Sequence, residues 1–153
     1  MKQLLTPLLL IGLVLCGLTG CSSNTEIMAA GLRVEVTQVQ RDQTGAVQVS
    51  WRIRNPNVVS YLFSKSSHKL SLNGTAIGTL TDTSPLGVPQ GSQADRTSPL
   101  VPANATANEI IDRAISQGSA SYRLDSIMWV LIVDDDTEKI PLNSSGSVPV
   151  TAK

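Results

Sequence analysis

Residues 47–54, Val-Gln-Val-Ser-Trp-Arg-Ile-Arg, alternate apolar and polar side chains, and the alternation ends at Asn55-Pro56-Asn57. A period of two puts Val47, Val49, Trp51 and Ile53 on one face of a strand and Gln48, Ser50, Arg52 and Arg54 on the other, so one face meets a core and the other meets water. The tripeptide that follows cannot continue a ladder. Proline has no amide donor and drives the residue before it into extended geometry, while asparagine competes for backbone hydrogen bonds and tolerates the left-handed region. This strand is therefore expected to stop, turn a corner and cross to a second sheet. Asn55, Pro56 and Asn57 are all accounted for by that corner, and their amides are also the one candidate for recognition at the surface.

Similar short strands recur along the chain. In residues 32–40, Leu32, Val34 and Val36 share a face before the phase shifts to Val39, as a β-bulge requires. The turn at Asp42-Gln43-Thr44-Gly45 predicts a hairpin into the next strand. After the corner, Val59, Tyr61 and Phe63 are expected on one face, followed by a segment His68–Leu72 that leads into Asn73-Gly74. Asn-Gly between two alternating runs signals a type I′ turn, which needs positive φ at both central residues. Gly78 marks a second bulge, residues 84–91 read as a long turn, and 92–101 reads as a polar strand whose Pro99 implies an edge or an end.

One stretch departs from the strand pattern. Residues 104–118 offer Asn104 or Thr106 as N-cap, a Thr106–Glu109 capping box, an Ile110/Ile111/Ala114/Ile115 stripe and Gly118 as terminator, which together predict one short helix. The chain then returns to strand in residues 120–134, the most apolar run outside the N-terminus and hence a central strand, and in 139–150. Many short strands with turn signals between them predict an all-β sandwich of about 32–150 with one helix and no second domain.

The N-terminus is expected to be a targeting segment. Lys2 precedes an apolar run from Leu4 to Leu15, too short and too interrupted by Pro7 for a membrane span. Leu18-Thr19-Gly20-Cys21 resembles the lipobox of bacterial lipoproteins, which implies a signal peptide at 1–20, acylation of Cys21 and a tether at 21–31. Two or more acyl chains hold a protein firmly at a bilayer. Ser22 after the cysteine, in place of aspartate, implies the outer membrane of a Gram-negative envelope, facing the periplasm. Of the two cysteines, Cys16 would leave with the signal and Cys21 would carry lipid, so no disulfide is expected.

Loss of Lys2 from 12 basic residues leaves them one short of the 12 acidic ones, and no basic cluster argues for nucleic acid. His68 is the single histidine. It lies near Ser64, Ser66 and Ser67 in sequence, but no nucleophile-elbow glycines flank them, and His68 is expected exposed or half-buried beside a serine-rich turn. Asp134, Asp135, Asp136 and Glu138 lack EF-hand spacing and read as a solvated hairpin turn. Trp51, Trp129, Tyr122 and Phe63 are expected to pack in the core rather than to form a platform. Neither a catalytic residue nor a metal or cofactor site is expected.

The order of these features resembles the folded group 2 late-embryogenesis-abundant proteins, whose shared unit is the Water stress and Hypersensitive response (WHy) domain. The strand ending at Asn55-Pro56-Asn57, the Asn73-Gly74 hairpin, the helix, the run Tyr122–Asp134 and the terminal Ile140–Val150 carry the resemblance. It implies a seven-stranded, fibronectin type III-like β-sandwich with one short helix, departing from the family pattern at the polar stretch 92–101. It also implies a non-catalytic, stress-protective module that stabilises proteins or membranes, with non-native client proteins as partners and the membrane reached through the lipid anchor. The alternative is an adaptor lipoprotein that binds an envelope protein through an exposed sheet edge near 92–101.

Overall fold

The computed structural model describes residues 30–132 and 136–153. Eight strands and one helix follow in the order β1 (Arg33–Arg41), β2 (Val47–Asn55), β3 (Tyr61–Leu72), β4 (Thr75–Asp82), β5 (Leu86–Val88), β6 (Ser92–Pro102), α1 (Thr106–Gln117), β7 (Ser119–Leu131) and β8 (Thr137–Ala152). The putdown of strands where alternation is cleanest follows the apolar parity: Val47, Val49, Trp51 and Ile53 are all buried. The bulge in β1 lies at Thr37, between the pairs Val36↔Trp51 and Gln38↔Ser50, and it restores Val39 to the core.

The hydrogen-bonded order is β4-β6-β2-β1-β8-β7-β3, and β3 pairs with β4 again, so seven strands close into a barrel flattened toward two layers. The all-β chain with one short helix is as expected, whereas its seven main strands close into a barrel where a seven-stranded fibronectin type III-like sandwich was expected. Two corner strands close it. β6 pairs with β2 through Pro99 and with β4 from Leu100 onward; β8 pairs with β7 through Pro149 and with β1 from Val150 onward. In both strands the change of neighbour falls immediately after a proline, the residue with no amide to commit to either ladder. Pro99 therefore marks a change of sheet, where an edge or a strand end was expected.

Other details follow local chemistry. Asn73 and Gly74 have φ of 47° and 80°, as a type I′ turn requires. Residues 84–91, expected as a turn, contain β5, which pairs with β3 at Tyr61–Phe63. The register shift in the β3–β4 hairpin falls beside Gly78, which pairs with Leu70. Asn104 Oδ1 accepts from the Ala107 amide at 3.0 Å, so Asn104 supplies the side-chain cap and the expected Thr106–Glu109 box does not form. α1 ends on Gly118 in the left-handed region and buries Ala107, Ile111 and Ala114 against β4 and β8.

Gly78 is required by a close approach. A Cβ there would overlap the Val101 carbonyl oxygen and press on the Leu100 side chain, at the short β4–β6 pairing that closes the barrel. Gly78→Ala should lower stability by about 2 kcal/mol or more in urea unfolding. Gly87→Ala, with nothing near its Cβ, should stay within about 0.5 kcal/mol of the parent.

Candidate functional site

Asn55 is a strand residue turned inward at the end of β2, and it is 1% exposed. Its Nδ2 lies 2.7 Å from the Val59 carbonyl, 3.0 Å from Pro89 and 3.2 Å from Val88, while its Oδ1 accepts from the Asn57 amide at 3.0 Å. One side chain thus replaces the ladder that Pro56 interrupts and ties the corner to the β5 segment. Asn57 donates from Nδ2 to the Tyr61 hydroxyl at 3.1 Å, and its carbonyl accepts from Gly91 at 3.1 Å. Both asparagine amides are engaged within the chain. What the corner presents to solvent is Val58, 87% exposed, and Val59, which leaves the core face expected for it.

His68 lies fully buried, not at the surface. It shares its face with Leu70 and Leu72, and its ring packs 4.5 Å from Trp51 at a 51° tilt. Its Nδ1 is 2.8 Å from Ser126 Oγ, and Trp51 Nε1 donates to Ser98 Oγ at 3.1 Å. His68 Nε2 and the buried Ser66 hydroxyl have no hydrogen-bond partner among the described residues. Burial pushes the imidazole pKa from 6.5 down to about 4, partly opposed by the nearby Asp82 carboxylate. The serine within reach is therefore Ser126, and the pair is enclosed by core side chains. Ser64 instead donates to the Trp129 carbonyl at 3.4 Å, and Ser67 lies on the opposite face of β3.

The acidic turn is described in part: Asp136 is exposed, whereas Asp134 and Asp135 lie outside the described residues. Among the described residues no three His, Cys, Asp or Glu side chains converge. Cys21 and the segment 1–29 also lie outside the described residues. At the flank of residues 92–98, β6 pairs among the described residues only with β2, and Arg96 crosses the other side to the Pro85 carbonyl and, at 3.6 Å, to Asp82.

The aromatic residues divide. Trp51, Phe63 and Tyr122 pack in the core, as expected. Trp129 does not: Met128 and Val130 on either side of it are buried, and strand alternation turns Trp129 outward, half-exposed. It lies opposite Lys65 on β3 and Lys139 on β8, whose ammonium groups stand 5.0 and 5.8 Å from its ring centroid. Ile127 and Leu131 share its outer face, and Ile132 follows at the strand end.

No family model and no curated protein matches the sequence. Solved structures do resemble the fold. The solution structure of AT1g01470 from Arabidopsis thaliana is 16% identical, with 78% of each chain covered and a TM-score of 0.51. The solution structure of At2g46140.1, described as a late embryogenesis abundant (LEA) protein, is 15% identical, with 82% of this chain and 75% of that chain covered and a TM-score of 0.50. At these identities the likeness is one of fold.

Two stability measurements test the buried polar groups. Asn55→Ala leaves three carbonyls and one amide without their partner and should cost about 2–4 kcal/mol in urea unfolding, against about 1 kcal/mol for Asn57→Ala. The folded-state pKa of His68 is depressed, so the unfolded chain takes up its proton first. Its contribution is complete above pH 6.5 and is lost as pH falls toward 4, by up to about 3 kcal/mol. His68→Leu should flatten that limb of the stability–pH curve, whatever its effect on stability at neutral pH.

Proposed function

We propose that this chain is a membrane-anchored binding module without catalytic chemistry, which stabilises proteins or membranes under desiccation or other stress. The observation that carries the reading is a division between inside and outside. The one histidine and its serine partner are sealed in the core, whereas Val58, Val59, Leu62, Val101, Ile127 and Ile132 are exposed on a closed barrel. Scattered apolar side chains of this kind contact non-native chains weakly and without a preformed pocket, which suits protection more than turnover. The LEA description of a protein with this fold, and the lipobox-like Leu18–Cys21, support the same reading. An adaptor role is the second reading, favoured by the flank of β6 at 92–98, where β2 is the only ladder partner among the described residues. It would show as one stoichiometric cross-linked partner in the native envelope.

The test is to dry and rehydrate an aggregation-prone enzyme with the full chain. Recovery of activity should exceed that with an equal mass of albumin and should persist in His68→Leu. Recovery no better than albumin, or its loss in His68→Leu while the variant stays folded, would sink the reading. Labelled palmitate should enter the parent and not Cys21→Ala.

A further inference from the structure

The two segments that build the Asn55 corner carry no charge: residues 55–64 and 83–94 contain no Asp, Glu, Lys, Arg or His. They are fastened into one tip at the end of the barrel. Tyr61, Leu62 and Phe63 pair with Val88, Gly87 and Leu86, the Gln90 amide donates to Ser60 Oγ at 3.2 Å, and the Asn57 carbonyl accepts from Gly91. Of the six large apolar side chains exposed among the described residues, three fall between positions 58 and 62: Val58 at 87%, Val59 at 52% and Leu62 at 46%. The backbone behind them is already paired within the chain, since Asn55 Nδ2 meets the carbonyls of Val59, Val88 and Pro89. A loop so paired can give up water at little cost, because apolar surroundings penalise backbone groups that lack a partner.

The same tip is where the N-terminal segment joins the barrel. Gly31 packs against the corner so closely that a Cβ there would lie 3.0 Å from the Pro56 ring and 3.4 Å from Asn57 Oδ1. From this point β1 leads away to the Asp42–Gly45 turn at the far end. The stretch between Cys21 and Gly31 spans at most about 35 Å, so an acylated Cys21 would hold the corner end toward a bilayer. Charges of both signs border the tip: Arg33 and the Arg54–Glu35 pair where β1 starts and β2 ends, Arg96 with Asp82 beside Pro85, and the acidic run 134–138 with Lys139 where β7 gives way to β8. No surplus of one sign selects a charged partner, and the contact the tip offers is apolar.

We infer that this tip is the end of the domain that meets the membrane, with Val58 and Val59 seated among the headgroups of a phospholipid bilayer and the barrel standing on it. The inference rests on the reading that the chain is membrane-anchored and adds which end of the barrel touches the lipid. The place where the N-terminal segment enters selects the occupant: an apolar, uncharged tip beside the anchor is the first part of the barrel to reach the surface that holds the anchor.

Gly87 is exposed on the tip with open space around its Cβ, so a reporter fits there without loss of either valine. The full chain as the cell makes it is labelled with a polarity-sensitive dye at Gly87→Cys or, as control, at Gln43→Cys in the far turn, and is reconstituted into vesicles of phosphatidylethanolamine and brominated phosphatidylcholine. Bromine should quench the Gly87 label severalfold more than the Gln43 label, to the same extent with and without added phosphatidylglycerol. Val58→Asp with Val59→Asp leaves the core untouched, because both side chains are exposed, and should bring the two labels level while the chain still floats with the vesicles. Equal quenching at the two sites in the parent, quenching at Gly87 only when phosphatidylglycerol is present, or labels that stay apart in the double aspartate variant would overturn the inference. So would a dimer that shields the Gly87 label before lipid is added and that the double aspartate variant splits, since a second copy would then cover the tip. A chain that does not float overturns docking and anchor together. Labelled palmitate in a floating chain whose Gly87 label stays unquenched overturns the docking alone, and a quenched Gly87 label in a chain without palmitate removes the anchor alone.

Discussion

Closure of the barrel depends on backbones that approach closely where strands change sheets. β6 must leave β2 and reach β4 within one residue, and the pairing it gains there, Gly78↔Pro102 to Leu80↔Leu100, is short. A side chain at 78 would hold the two strands apart. β8 makes the matching change from β7 to β1 after Pro149, where the Val150 amide donates to the Gly118 carbonyl at 3.1 Å. The end of α1 and the corner of β8 are thus fixed to each other. Without these two crossings the layers would have free edges, which expose unpaired amides and carbonyls to other chains.

The corner at Asn55 solves the same problem at the other place where the chain crosses between layers. A proline corner leaves carbonyls without ladder partners, and burying them unpaired would cost more than the corner gains. The Asn55 amide meets those of Val59, Val88 and Pro89, so the break becomes a set of hydrogen bonds inside the protein. The centre of the core is polar in a similar way, with His68 against Trp51 and their hydrogen bonds to Ser126 and Ser98 joining β3 to β7 and β2 to β6. These groups set which strands face which, at the cost of acid sensitivity in the imidazole.

Much of the fold was legible because strand alternation is a local signal. The bulge in β1, the Asn73-Gly74 turn and the Gly118 helix end could all be read from neighbouring residues. His68 was expected exposed or half-buried because a serine-rich stretch precedes it, and a register irregularity between Phe63 and Lys65 breaks the parity that runs from Phe63. Counted backward from Leu72 and Leu70, His68 falls inward. Trp129 was misplaced for a different reason: in Ile127–Leu131 every residue is apolar, so period two leaves no trace there, and the face is set by carrying forward the alternation of Tyr122 and Leu124 with Arg123 and Asp125. Barrel closure was hidden because it depends on a few pairings between residues far apart in sequence. Cys21 lies where the structure describes nothing, so the lipobox resemblance remains its only support.

Alternation requires only that outward residues tolerate water, so the fold does not explain why its two faces differ. On the β1–β2–β6 face, Arg52 and Arg54 pair across strands with Glu35 and Asp95, and such exposed pairs contribute little to stability. On the opposite face Trp129 turns outward between Lys65 and Lys139, whose ammonium groups lie over its ring. Trp129 leaves apolar surface in water that burial would have removed, and its position in a central strand already satisfies its backbone. Cross-strand packing recovers part of that cost, because the ring lies between long side chains on both neighbouring strands.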